Sequence, residues 1–249
     1  MRAIGICFFR MFAATLATMP SGLILEVAVD SLERAMAAER AGAPRLELCA
    51  SLEAGGLTPS MDLIRRVKAS VSIPVHAMVR PRRGDFVYSA DEFREMKESI
   101  IEIAAEGLQG IATGVLLPAG LVDGDRTREL VNLASPMQVT FHRAFDEAKD
   151  LAAALEEIVT AGAHRILTSG GAPATSEGAA TLRLLIQHAG NRLTILPGGG
   201  LHPGNIAQLA HATGARELHT GLGEVIPYTS QDFATFESAV RDCVAALGR

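Results

Sequence analysis

The sequence predicts an α/β protein, a single-domain (β/α)8 TIM barrel in which eight parallel strands sit inside eight helices. Three observations predict it. One joint recurs four times: the end of a helix, a Gly, a short spacer and a buried strand. It reads Ala41-Gly42-Ala43-Pro44-Arg45, Glu106-Gly107-Leu108-Gln109-Gly110, Ala161-Gly162-Ala163-His164-Arg165 and Thr213-Gly214-Ala215-Arg216-Glu217. Each Gly falls where a helix stops in a left-handed conformation, which carries no Cβ penalty for Gly. The joints also recur every roughly 50–65 residues, or two β-α units each. Finally, 249 residues is the usual size of a closed barrel, and no Ser/Gly-rich linker, charge block or low-complexity tract divides the chain.

The elements follow in order. Strand 1 is Leu23–Val29, and Asp30 or Ser31 caps a helix running to Ala41. Strand 2 is Arg45–Leu48. The second helix opens with Thr58 as cap and Pro59 in its first turn. Strand 3 is Ile73–Val79, and Ser89-Ala90-Asp91-Glu92 reads as a capping box for the third helix. Strand 4 lies within Gly110–Leu117, followed by a helix over Arg126–Ala134. Strand 5 is Gln138–His142, the fifth helix Leu151–Ala161, strand 6 Arg165–Thr168 and the sixth helix Ser176–Ala189. Strand 7 is Leu193–Leu196, His202-Pro203 opens the seventh helix, strand 8 is Glu217–His219, and a last helix covers Gln231–Leu247.

Residues 1–22 read as an N-terminal extension set apart from a barrel over 23–249. Met1-Arg2 and the apolar run Ala3–Phe9 resemble a short signal peptide, but Arg10 interrupts the run and no small-residue cleavage site follows; Met11 and Met19 offer later starts. No stretch of about 20 apolar residues offers a membrane span. The net charge of −5 argues against a phosphate-backbone partner. The absence of Trp and the presence of only two Tyr argue against base stacking. Cys7, Cys49 and Cys243 are odd in number and widely spaced, which suits a reducing compartment rather than a disulfide framework.

Strand side chains alternate between the helices and the barrel axis. The apolar parity (Leu25, Val27 and Val29; Leu46 and Leu48; Val75, Ala77 and Val79; Val139 and Phe141) belongs under the helices. That sends Glu26, Glu47, Arg80, His142 and His219 toward the axis. A barrel interior is ordinarily filled with branched apolar residues. Buried ions there must pair, reach water or meet a ligand. One reading of the set is a structural lattice, such as Glu26 or Glu47 with Arg80. The other is a site at the C-terminal ends of the strands, with Glu26, Glu47, His142 and His219 as acid–base groups.

The rim loops add an anion site. Pro197-Gly198-Gly199-Gly200 follows strand 7, and the loop after strand 8 carries Gly221 and Gly223. These are the loops where barrels commonly hold phosphate. Ser169-Gly170-Gly171 adds a hydroxyl and open backbone, and Arg80 heads the basic loop Arg80–Arg83. Anion contacts are therefore expected at Arg80, Ser169, Gly198, Gly199 and Gly200.

These segments resemble the CutC family, the copper homeostasis proteins. The resemblance is carried by Leu46-Glu47-Leu48-Cys49-Ala50, Gly55-Gly56-Leu57-Thr58-Pro59-Ser60, Val79-Arg80-Pro81-Arg82 with Gly84-Asp85-Phe86, Thr140-Phe141-His142-Arg143-Ala144-Phe145-Asp146, Leu167-Thr168-Ser169-Gly170 and Leu196-Pro197-Gly198-Gly199-Gly200. It implies a cytoplasmic barrel, a homodimer or higher homo-oligomer, with a role in copper handling and Cys49 as a Cu(I) ligand. Relatives often carry Cys in the first strand motif where this chain has Ala28. The two functional expectations are therefore copper homeostasis by resemblance and, from residue chemistry, an enzyme or binder for a small anionic or phosphorylated metabolite.

Overall fold

In the computed structural model, which describes residues 22–248, short parallel strands alternate with helices around a ring. The order is β1 Ile24–Val29, α1 Leu32–Arg40, β2 Arg45–Leu48, α2 Met61–Ser70, β3 Val75–Met78, α3 Ala90–Ala105, β4 Gly110–Thr113, α4 Gly124–Ala134, β5 Gln138–Phe141, α5 Leu151–Ala161, β6 Arg165–Thr168, α6 Thr175–Ala189, β7 Thr194–Pro197, α7 Ile206–Thr213, β8 Glu217–Thr220 and α8 Phe233–Leu247. The eight strands pair in parallel from β8 through β1 and on to β7. A bridge between Gly198 and His219 joins β7 to β8 and closes the cylinder. The single-domain TIM barrel read from the sequence is the fold observed. The signal-like run and the extension to residue 21 lie outside the described residues.

Local chemistry explains the boundaries. Gly42, Gly107, Gly162 and Gly214, the four joint glycines, take φ of 90°, 70°, 88° and 76°. Ser31 caps α1, and Ser89 with Glu92 forms the full capping box of α3. Two expected helix starts shift. Thr58 does not cap α2, because its Oγ1 accepts the Arg80 N–H at 2.9 Å at the end of β3. Ser60 caps α2 instead, accepting from Leu63 N at 3.3 Å. His202-Pro203 does not open α7. Asn205 accepts the His202 N–H at 2.9 Å and donates to Gly200 O at 2.8 Å, which holds a turn there and starts the helix at Ile206.

The core is divided by strand parity. Leu25, Val27, Leu46, Leu48, Ala77, Ile111, Phe141, Ile166 and Leu218 are wholly buried and share one apolar shell with the inner faces of the helices. Each large side chain there contributes about 1.5–3 kcal/mol through burial. Cys243 belongs to this shell. Inside the ring, a small separate cluster holds Ala28, Cys49, Leu52, Met78 and Ala112. Glycines make room for ring side chains near the axis: a Cβ at Gly110 would stand 2.6 Å from the His76 ring, and one at Gly114 would stand 2.7 Å from His142 Nδ1. Among the described residues, no helix is long and apolar enough to cross a membrane.

Candidate functional site

The barrel floor is an ion lattice. Arg45, wholly buried, donates from Nε to Glu26 Oε2 at 2.5 Å and from Nη2 to Glu217 Oε2 at 2.6 Å. Arg165 Nε reaches the same Glu217 oxygen at 2.8 Å. The expected pairing of Glu26 or Glu47 with Arg80 is therefore corrected. Arg45 has the parity of Glu47 and lies opposite Glu26 in the β1–β2 register, so its guanidinium enters the axis first. Sequence reasoning had used Arg45 and Arg165 only as strand starts.

Above the lattice, three titratable groups form a chain. Glu26 Oε1 meets His219 Nδ1 at 2.9 Å, and His219 Nε2 stands 3.7 Å from Glu47 Oε2. The Cys49 thiol donates to that Glu47 oxygen at 3.5 Å. Burial alone would raise the Glu26 carboxyl, but Arg45 and then His219 outweigh it and hold it well below the usual carboxylate range. Glu47 is pushed up, chiefly by burial and with help from Glu26. Burial opposes the His219 imidazolium, yet Glu47 and the bond to Glu26 raise its pKa. Among the described residues, Glu47 Oε1 is buried without a hydrogen-bond partner.

The facing wall is built by β3 and β5. His142 Nδ1 accepts the Ala144 N–H at 3.2 Å, so the ring proton belongs on Nε2, which has no partner among the described residues. Burial, then the Arg80 charge, lowers the His142 pKa to about 3. Burial likewise takes His76 down to about 3. Arg80 reaches the mouth, but its donors are largely occupied. Nη1 contacts the carbonyls of Ala54, Gly55 and Gly56 at 3.2–3.4 Å, and Nη2 that of Gly84 at 2.8 Å. Its guanidinium also stacks 4.7 Å from the Phe86 ring centroid. Arg80 thus fixes two loops, and among the described residues its Nε has no partner.

The anion cradle expected from the sequence is only partly presented to the cavity. Gly199 and Gly200 take left-handed φ of 111° and 75° and line it. Gly198 does not line it: it is held in the ring by its bridge to His219, and its N–H donates to Thr168 O at 2.9 Å. Ser169 is fully buried behind the wall, bonded to Asp146 and accepting from Arg143 Nη2 at 2.8 Å. The cation that faces this backbone is Arg143. Its Nε binds Asp146 at 2.8 Å, and Nη1 lies 3.2 Å from where a Gly199 Cβ would be. Arg143 stood next to His142 in the strand-5 motif; only the fold shows that it reaches across to the strand-7 loop. The resulting cavity of about 570 Å³ is lined by Glu47, Arg80, His142, Arg143 and His219 among others, with Tyr228 from the loop after β8 at its edge.

The two depressed imidazoles set an acid limit on stability. Between about pH 6.5 and 3 the unfolded chain protonates His76 and His142 and the folded chain does not, so stability falls as pH falls through that window. Glu26, whose folded pKa is depressed, adds stability present above about pH 4.5 and lost below it. His219, whose pKa is raised, acts oppositely: its stability is present below 6.5 and lost as pH rises through the folded value. Urea midpoints at about pH 7.5 and about pH 5.5 isolate one contribution: the drop on acidification should be smaller in His142→Asn than in the parent chain. An equal drop would mean that the His142 ring is hydrated.

The CutC family model matches residues 23–224. The chain belongs to the CutC family. A CutC family protein from Chromobacterium violaceum is 48% identical over 196 residues, 79% of each chain. A human protein named copper homeostasis protein cutC homolog is 44% identical over 199 residues, 80% of this chain and 73% of that one. The crystal structure of the putative copper homeostasis protein CutC from Streptococcus agalactiae superposes with a TM-score of 0.76 at 28% identity, covering 80% of this chain and 98% of that one.

The name CutC raises copper, and the donors here can be weighed against it. Cu(I) favours soft thiolate and thioether ligands. Ala28, not a thiol, shares the inner cluster with Cys49. Cys49 is wholly buried, and burial, followed by Glu47, pushes its thiol well above the ordinary value, so it stays protonated. The ligand atoms that do converge, those of Glu26, Glu47 and His219, lie within 4.8 Å of one another and are hard oxygens and an imidazole nitrogen. Among the described residues, this set does not fit a tight Cu(I) site.

Proposed function

We propose that the barrel mouth binds a small anionic molecule and moves a proton on it. One observation carries the reading: among the described residues, Glu47 Oε1 and His142 Nε2 are buried polar atoms without partners, on residues lining one cavity that also contains Arg143, Gly199 and Gly200. An unpaired buried polar atom costs about 1–3 kcal/mol, and a ligand that supplies its partner recovers it. In this reading Arg143 and the Gly199–Gly200 backbone hold the anion, Glu47 moves the proton, and His142 donates a hydrogen bond. Glu26 and His219 orient Glu47, and Arg80 shapes the wall. The setting is cytoplasmic, where free thiols persist, and the assembly a homodimer or larger.

Calorimetric titration with inorganic phosphate and ribose 5-phosphate tests it. Arg143→Ala should weaken binding by roughly 10–100-fold, the worth of one hydrogen bond to a charged group. Equal affinity in that variant, or no binding to the parent chain, overturns the reading.

A second reading rests on the relatives' name and on Cys49 and Met78, whose Sγ and Cε lie 3.1 and 3.3 Å from the place of a Gly56 Cβ. Here copper is cargo, met by a thiol and a thioether. Titrating Cu(I) under reducing conditions decides it: an affinity unchanged in Cys49→Ser removes the thiolate, and with it this reading.

A further inference from the structure

We propose that the reaction at the barrel mouth is an enolisation, in which Glu47 takes a proton from the carbon beside a carbonyl while His142 donates a hydrogen bond to the carbonyl oxygen. The substrate class is a phosphorylated α-hydroxy aldehyde or ketone. The proposal rests on the anion reading above and gives that site a reaction.

The furnishing of the cavity selects this chemistry. Among the described residues no lysine lines it, so a Schiff base has no amine there. Cys49 is wholly buried and held as a thiol, so it offers no thiolate nucleophile. A carboxylate base and an uncharged imidazole donor remain. Their environments differ as this division of labour requires. Glu47 has one oxygen set by the Cys49 thiol and His219, and one without a partner. His142 remains uncharged at neutral pH, with its proton fixed on Nε2 by the Ala144 N–H. A neutral imidazole steadies a developing oxyanion without first surrendering its proton.

Asp146, a second carboxylate lining the cavity, is less suited. Asp146 accepts from Thr168 Oγ1 at 2.5 Å and from the Ser169 and Gly171 N–H groups, so it is occupied holding the loop. The cavity wall also supplies apolar surface for a C–H bond: Ala28, Met78 and Leu167 line it along with the acid–base groups. The cavity volume of about 570 Å³ lies in the range of small-metabolite sites.

The step balances without a co-reactant. Glu47 Oε1 accepts the proton. The electron pair of the broken C–H bond forms the C=C bond of an enediolate, and the carbonyl π pair moves to oxygen, where the His142 Nε2–H bonds it. The Glu47 carboxylic acid then returns the proton. Returned to the same carbon, it restores the substrate. Returned to the neighbouring carbon, with the hydroxyl proton shifting between the two oxygens, it gives the isomeric carbonyl. His219 is a positioning residue: Glu26 fixes its ring against Glu47.

Proton exchange reads this step without knowledge of the product. The full chain is incubated in D2O with dihydroxyacetone phosphate and with ribose 5-phosphate. Proton NMR follows loss of the C–H signal beside the carbonyl, and phosphorus NMR follows binding. We expect exchange above the buffer rate, lowered by about 100-fold or more in Glu47→Gln and in His142→Asn when each variant is saturated with the phosphate, whatever its affinity. The Glu47→Gln preparation also controls for traces of other isomerases. Binding without exchange overturns enolisation and leaves the anion reading standing. Exchange that persists in Glu47→Gln overturns the assignment of the base. Failure of every phosphate to bind overturns the anion reading itself.

Discussion

Arg45→Ala should lower the unfolding free energy by about 3–5 kcal/mol, the cost of leaving buried partners of an ion pair uncompensated. The Arg45 side chain is wholly buried, and its two contacts, 2.5 Å to Glu26 and 2.6 Å to Glu217, tie the strands on either side of the β8–β1 seam to β2. Without it, Glu26 loses the largest of the influences that oppose burial, and its pKa rises. The double variant Arg45→Met with Glu26→Gln should recover part of the loss, because it removes charges from both sides together. Guanidinium unfolding followed by circular dichroism measures both. A loss below about 1 kcal/mol in Arg45→Ala would mean that water already reaches the lattice.

The second large effect is expected at Gly178, near the start of α6. A Cβ there would stand 1.8 Å from Ser169 O and 3.2 Å from Gly170 Cα, both backbone atoms that cannot swing aside. Gly178→Ala must push α6 from the loop after β6, at about 3 kcal/mol or more. The displaced Ser169 would release its 2.8 Å contact with Arg143, so phosphate binding should weaken in the same variant. Gly124 presents the same gap, 1.8 Å, but to Glu157 Oε1, the tip of an exposed side chain. Gly124→Ala should therefore cost nothing and gain up to about 1 kcal/mol of helix preference. Thermal melts of the two variants test the contrast; equal losses would overturn the distinction between rigid and movable neighbours.

What was legible in the sequence follows the range of the forces involved. The joint glycines and the capping box at Ser89 and Glu92 act within a few residues, so spacing alone revealed the fold. Parity gave the inward direction of Glu26, Glu47, Arg80, His142 and His219, because a strand has only two faces. Partner choice was not legible. Arg45 binds Glu217, from the far end of the chain, through the closure of the ring. By its place at the end of β3, Arg80 reads as an anion ligand, yet its donors go to carbonyls of two neighbouring loops, whose path no local pattern describes. Arg143 gained its place against Gly199 in the same non-local way, through Asp146 and Ser169. Tyr228 reached the mouth because Gly221 and Gly223 leave space for its hydroxyl end.

The floor lattice also bears on how the molecule is made. Glu26 and Arg45 leave the ribosome early, whereas Arg165, Glu217 and His219 emerge with the last three strands. A nascent chain ending after β4 would have to enclose Arg45 without Glu217, and Glu26 without His219. Such a half-cylinder is electrostatically unfinished, whatever its apolar shell has achieved. Sealing waits for β8, and the first and last strands are bound to one cooperative event.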